Sequence, residues 1–82
     1  MHSVVFDYKG KFYTGSLISS DPEAPEYYWC FFDNADLVQE LGDCVSFVRK
    51  KEHLQTTRKY GEQYFELIDS IKKAIMPYVY HY

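Results

Sequence analysis

The first strand is predicted by the alternation of apolar and polar side chains over residues 4–8, the period of a strand with one buried face. Lys9-Gly10 then predicts a two-residue hairpin turn, because Gly10 tolerates the positive φ that such turns need. This turn places Tyr8 opposite Lys11 and sets the register of the second strand. The predicted core face of the hairpin carries Val4, Phe6, Tyr8, Tyr13 and Leu17, and its other face carries Val5, Asp7, Phe12, Thr14, Ser16 and Ile18.

A gap in the second strand is predicted at Gly15, which has no side chain to fill the space beside the rings of the core face. Its presence indicates either a bulge or the close approach of a neighbouring side chain. Residues 19–26 are then predicted to form a loop, because two prolines and three acidic residues in eight positions suit neither a strand nor a helix.

A third strand is predicted over residues 27–32, which read Tyr-Tyr-Trp-Cys-Phe-Phe and are apolar at every position. Such a run is typical of a central strand buried on both faces. We expect a helix to cover one face, and more of the chain or another molecule to cover the other.

Two helices follow from spacing and from end signals. Residues 33–42 predict a short helix, with Asp33 or Asn34 as its cap, Leu37 and Leu41 one turn apart, and Gly42 after its end. The C-terminal helix is predicted from an apolar stripe whose members recur every three or four positions. Pro77 is expected to end this helix, because it lacks an amide hydrogen and disfavours helical geometry at the residue before it. The stripe comprises Tyr60, Tyr64, Leu67, Ile68, Ile71 and Ile75.

The remaining pattern completes an α+β fold. Residues 44–51 predict a fourth strand, with Val45 and Phe47 on one face, and residues 53–56 predict a short fifth strand. The prediction is a single small domain spanning residues 1–82. It consists of an antiparallel sheet of four or five strands, with a short helix before strand 4 and a C-terminal helix packed on one face.

Composition adds a question about partners. Sixteen of the 82 residues are aromatic, which is 20% of the chain. One long and one short helix cannot cover both faces of a sheet with this many rings, and surplus exposed apolar area usually marks an interface. We therefore expect a non-enzymatic protein–protein interaction module, with homodimerisation as its simplest form. The predicted interface lies on strand 27–32 and on the C-terminal tail, at Tyr28, Phe32, Tyr78, Tyr80 and Tyr82.

Charge is distributed unevenly and raises one alternative. Residues 1–48 carry two lysines and eight acidic residues, whereas residues 49–59 carry five basic residues and one glutamate. The basic segment suits weak binding of nucleic acid, with nearby rings stacking on bases. The net charge of −3 argues against it, because nonspecific nucleic-acid binders usually present a broad positive field. The residues of this alternative are Arg49, Lys50, Lys51, Arg58 and Lys59.

The sequence contains only weak signals for metal-binding, catalytic or phosphate-binding sites. No two of its cysteines and histidines have the spacing of two to four residues by which zinc sites take a pair of ligands from one turn. Cys30, Cys44 and Ser46 fall within predicted strands, whereas a catalytic nucleophile needs a sharp turn beside a histidine. The four glycines are too scattered for a phosphate-binding loop. We expect no catalytic residue, no metal and no cofactor.

The expected location is the cytoplasm. The chain contains no run of 18 apolar residues, so no transmembrane helix is predicted and no membrane contact is expected. The two cysteines then predict buried thiols in a reducing compartment rather than a disulfide.

Overall fold

The computed structural model describes residues 2–21, 23 and 25–80, and it confirms the predicted α+β class. Its five strands form one antiparallel sheet in which spatial order follows chain order. The short helix precedes the fourth strand, and the long helix comes last. The elements are β1 (His2–Tyr8), β2 (Lys11–Ser19), β3 (Tyr27–Phe32), α1 (Ala35–Leu41), β4 (Cys44–Arg49), β5 (Leu54–Thr56) and α2 (Phe65–Val79), with a 3₁₀ turn at Glu62–Tyr64.

The β1–β2 hairpin has the predicted turn and register. Lys9 and Gly10 have φ angles of 51° and 76°, which matches the positive φ at both central positions of a type I′ turn. Phe6 pairs with Tyr13 across the hairpin. Because the residue pattern of this hairpin is clear, its two faces are also those predicted.

Gly15 marks a close approach of β3, which corresponds to one of the two alternatives that the sequence leaves open. A Cβ atom at this position would lie 2.7 Å from the carbonyl oxygen of Phe31 and 3.0 Å from the Sγ of Cys30. Any larger residue therefore requires β2 and β3 to move apart.

The hydrophobic core lies between one face of the sheet, which we call the inner face, and the two helices. Each strand contributes alternate residues to it, as the pleat requires. The buried residues of the inner face are Val4, Phe6, Tyr8, Tyr13, Leu17, Tyr28, Cys30, Phe32, Val45, Phe47 and Leu54.

The prediction for β3 is wrong about which of its residues face outward. Tyr28 is 2% exposed and Phe32 is 8% exposed, so both belong to the core and neither can contribute to a surface in this fold. The reason is register, because Phe32 pairs with Gly15 and Tyr28 pairs with Phe47, both on the inner face. The outward residues of β3 are Tyr27, Trp29 and Phe31.

Helix α2 has the predicted apolar stripe, but it does not end at Pro77. It continues to Val79, which is 1% exposed and lies one turn beyond Ile75 in the buried stripe. Pro77 lacks only the amide hydrogen that would bond to the carbonyl of Lys73. Burial of a valine side chain contributes about 1.5 kcal/mol or more, which favours continuing the helix for one more turn.

Helix α1 is attached to the rest of the core by tyrosine hydroxyls. Tyr13 donates a hydrogen bond to Asp36 (3.3 Å), and Tyr64 donates one to Glu40 (3.1 Å). Asn34, one of the two predicted cap residues, occupies the N-cap position, but its side chain makes no capping hydrogen bond. The Asp33 carboxylate instead accepts a bond from the Thr14 hydroxyl at 2.7 Å.

The remaining connections agree with the sequence where the structure describes them. The β2–β3 loop is anchored by Ser20, whose hydroxyl oxygen accepts the backbone N–H groups of Glu26 and Tyr27. Pro22 and Ala24 of this predicted loop lie outside the described residues. The β4–β5 turn is closed by a hydrogen bond from the Lys50 N–H to the His53 carbonyl.

Candidate functional site

The outer face of the sheet is the face opposite the core, and both helices pack on the inner side. Among the described residues, no helix or strand lies over this outer face. Side chains at alternate strand positions point into solvent there. The residues of the outer face are Ser3, Val5, Asp7, Phe12, Thr14, Ser16, Ile18, Tyr27, Trp29, Phe31, Cys44, Ser46, Val48 and Gln55.

Three aromatic side chains form a ridge along the middle of this face. Tyr27, Trp29 and Phe31 occupy successive outward positions of β3, which is the central strand. The rings of Tyr27 and Trp29 stack with centroids 6.5 Å apart. Tyr27 is 42% exposed and Phe31 is 37% exposed, so a large part of the ridge is in contact with water.

Smaller side chains flank the aromatic ridge on both sides. Phe31 lies between Ser16 of β2 and Cys44 of β4. Trp29 lies between Ile18 and Ser46 in the next row. The ridge therefore stands above two shallow rows of smaller residues.

The outer face is almost free of charge. Within the five described strands, Asp7 is the single charged residue at an outward position, and it lies on the edge strand. The polar groups of the face are mainly hydroxyls, including Ser46 and Thr57, which are joined by a hydrogen bond. On the strands of this face a partner would therefore meet mainly rings, small apolar groups and hydroxyls, with the Asp33 carboxylate bonded to Thr14 and the Arg58 side chain near Cys44 beside them.

The predicted interface residues of the tail contact the chain itself. The ring of Tyr78 stacks on His2 at 4.4 Å, in the last turn of α2. The hydroxyl of Tyr80 donates to the Lys50 carbonyl (2.9 Å), and its ring lies 5.0 Å from the Arg49 guanidinium. Neither residue is part of the outer face, and Tyr82 lies outside the described residues.

The five basic residues of the alternative site do not form one cluster. Lys50 and Lys51 lie in the β4–β5 turn next to Arg49, whereas Arg58 and Lys59 follow the opposite end of β5. About 13 Å of strand separates the two groups, given a rise of about 3.3 Å per residue. All five side chains are exposed, and Arg58 lies over the ring of Tyr60 at 5.0 Å.

The two cysteines are free thiols in different environments. Cys30 is fully buried, and burial raises the pKa of its thiol to about 12. Cys44 is half-buried on the outer face. Burial also raises the pKa of the Cys44 thiol, and the neighbouring Asp43 raises it further while Arg58 lowers it. A covering partner would therefore change the accessibility of Cys44 and leave Cys30 unaffected.

Two grooves flank α2, one on each side. The larger has a volume of about 590 Å³ and lies between β1 and α2. Five of its eleven lining residues are charged, and Val5 and Phe12 of the outer face line it as well. The charged residues are Asp7, Lys9, Glu66, Asp69 and Lys73. The smaller, of about 350 Å³, lies between Thr56 of β5 and the first turns of α2. Asp7, Glu66 and Asp69 all line the larger groove, but no three Asp, Glu, His or Cys side chains among the described residues form a group that could hold a metal ion.

Comparison of this chain with protein-family models, with curated proteins and with solved structures finds no match. Within the described part of the chain, no helix is both long and apolar enough to cross a membrane. The outer face, with its exposed aromatic ridge, is therefore the candidate functional surface of the described residues.

Proposed function

We propose that this protein is a non-enzymatic protein–protein interaction module whose contact surface is the outer face of the sheet. The observation that carries the proposal is the exposed ridge of Tyr27, Trp29 and Phe31 on the central strand. Its position replaces the one expected from sequence, since Tyr28 and Phe32 belong to the core.

The composition of the outer face supports this role. Interface centres are enriched in aromatic residues and depleted in charge, and they are surrounded by a polar rim. The aromatic ridge and its uncharged strand neighbours have this composition, while the acidic residues other than Asp7 lie in loops and helices around the sheet. Exposed apolar patches on a small monomer cost solubility, so a partner that covers them stabilises the protein.

The thiols support a non-enzymatic role. A nucleophilic cysteine needs a lowered pKa and an electropositive setting. Burial instead raises the pKa of both Cys30 and Cys44. The protein is therefore proposed to act by binding a protein partner rather than by cysteine chemistry.

The test uses Cys44 as a reporter of coverage. The rate at which a maleimide modifies Cys44 is measured in dilute purified protein and in a lysate of the cells that produce the protein. We expect slower modification in the lysate, because a partner on the outer face covers the row that contains Phe31 and Cys44. Cys30 serves as the internal control, since its modification requires unfolding.

A matched pair of variants shows whether the protection comes from the outer face. Phe31→Lys places a charge on the ridge, whereas Phe65→Lys places the same charge at an exposed position of α2. Loss of protection with Phe31→Lys alone supports the proposal. Equal Cys44 rates in dilute protein, concentrated protein and lysate contradict it.

Weak nucleic-acid binding is the second candidate, and one observation favours it. Arg49 and Arg58 each lie over a tyrosine ring, a pairing of cation and aromatic group that also occurs in single-strand binders. The direct strand neighbours of the aromatic ridge, however, include no basic residue, and Arg58 is the basic residue near Cys44 at the end of the ridge. Binding of a single-stranded oligonucleotide that strengthens as salt falls would support this candidate, and no affinity at low salt would exclude it.

A further inference from the structure

We infer that the partner on the outer face is a second copy of this chain, packed sheet against sheet. This inference rests on the proposed function and names its partner. The relief of the outer face supports this inference, its low charge permits it, and its area limits the strength of the pairing.

The relief of the outer face is complementary to itself. The ring ridge on β3 is flanked on the β4 side by the smaller residues Cys44, Ser46 and Val48, and on the β2 side by Ser16 and the larger Ile18. When two copies face each other with an offset of one strand, the ridge of each lies over the small residues of the other. A two-fold axis provides this arrangement, because each contact then occurs twice.

The charge distribution permits pairing with a second copy, because the centre of the outer face adds no repulsion of its own. Each chain carries a formal net charge of −3, so two copies repel at long range. Because Asp7 at the sheet edge is the one charged outward residue of the described strands, no like charges meet at the centre. Salt screens the long-range term. Pairing should therefore strengthen slightly as salt rises, which is opposite to the behaviour of a phosphate-binding surface.

The area of the outer face limits how strong the pairing can be. With a rise of about 3.3 Å per residue and strands about 4.8 Å apart, five strands of these lengths present a face of roughly 500 Å². Two such faces bury at most roughly 1,000 Å² in total, and roughly 800 Å² when an offset of one strand leaves four strands overlapping, which is below the usual size of a stable specific interface. The pair is therefore expected to be weak and to dissociate in the micromolar range.

The experiment is sedimentation equilibrium of the full chain from about 1 µM to about 500 µM, a range that spans micromolar dissociation constants. We expect the mass to rise from 9.8 kDa toward twice that value and to stop there, because facing sheets form a closed pair. Phe31→Lys should weaken pairing by about tenfold or more, whereas Phe65→Lys should leave it unchanged within about twofold. Tyr27→Lys, on the same ridge, replaces Phe31→Lys if that variant does not fold by circular dichroism.

Three outcomes overturn the inference. A monomer at every concentration excludes the second copy, and continued growth beyond a dimer excludes a closed pair. Equal effects of Phe31→Lys and Phe65→Lys place the contact elsewhere on the molecule. A monomer whose Cys44 is nevertheless protected in the lysate overturns self-pairing and leaves the proposed function standing. A monomer without that protection contradicts both.

Discussion

Asp7 and Ser70 are 63 positions apart and are joined by two hydrogen bonds. The backbone N–H of Asp7 donates to Ser70 Oγ (2.9 Å), and the Ser70 hydroxyl donates to Asp7 Oδ1 (2.8 Å). This N–H points away from β2, on the free edge of the sheet. Ser70 of α2 therefore occupies an edge group that another strand could otherwise bind.

Ser70→Ala is expected to lower the free energy of unfolding by about 1 kcal/mol, because two solvent-accessible hydrogen bonds are lost. Urea denaturation measures this change. Ser3→Ala is the control, because Ser3 is an exposed serine on β1, the strand that carries Asp7. Equal effects of the two substitutions would mean that the link between α2 and the sheet edge contributes nothing to stability.

Two buried tyrosine hydroxyls should be dispensable for stability. Among the described residues, the hydroxyls of Tyr8 and Tyr28 are buried and have no hydrogen-bond partner. An unsatisfied buried polar group costs about 1–3 kcal/mol, so removing it relieves that cost. Tyr28→Phe is therefore expected to leave the free energy of unfolding unchanged or to raise it by about 1 kcal/mol.

The comparison for this prediction is Tyr13→Phe. The Tyr13 hydroxyl donates a hydrogen bond to Asp36 of α1. Removing this hydroxyl should lower the free energy of unfolding, because the bond helps to hold α1 against the sheet. Chemical denaturation of both variants distinguishes the two roles. If Tyr28→Phe were clearly the more destabilising, its hydroxyl would have to be satisfied in the folded protein.

Gly15→Ala should destabilise the protein by about 1–3 kcal/mol, which is typical of inserting an atom into a packed region. The new Cβ would lie 2.7 Å from the backbone carbonyl oxygen of Phe31, and a strand backbone cannot easily move. Gly61→Ala is the control, because its Cβ would meet only the flexible end of the Gln63 side chain. Thermal unfolding of the two variants at equal concentration measures the difference, and a tolerated Gly15→Ala would contradict the close pairing of β2 and β3.

The elements of this fold could be predicted because each has a local signal. Lys9-Gly10 determines the turn of the first hairpin and thereby its register. The spacing of Leu67, Ile71 and Ile75 identifies the buried side of α2. The end of α2 could not be predicted from Pro77, because burial of Val79, a tertiary contact, outweighs a local preference.

The residues of the candidate site could not be predicted from the sequence, although the strand that carries them could, because β3 has no internal signal for its orientation. All six of its residues are apolar, so alternation cannot distinguish the side that carries Tyr28 from the side that carries Trp29. The orientation depends on pairing with Gly15, which leaves room for a ring on the inner face. No sequence pattern links Gly15 to Phe32 across the intervening loop. The apolar run of β3 nevertheless indicates rings on both faces, and the structure has Tyr27, Trp29 and Phe31 on the outer one.

The most direct measurement of the central claim is the fluorescence of Trp29, the one tryptophan in the chain. Its indole lies in the middle of the aromatic ridge and is partly exposed. If two copies pair through the outer face, its emission maximum will move to shorter wavelength as the protein is concentrated from about 1 µM to about 500 µM. Phe31→Lys should abolish this shift, and Phe65→Lys should preserve it. An emission maximum that stays constant while the sedimentation mass doubles would contradict the account, because the copies would then be meeting through another surface.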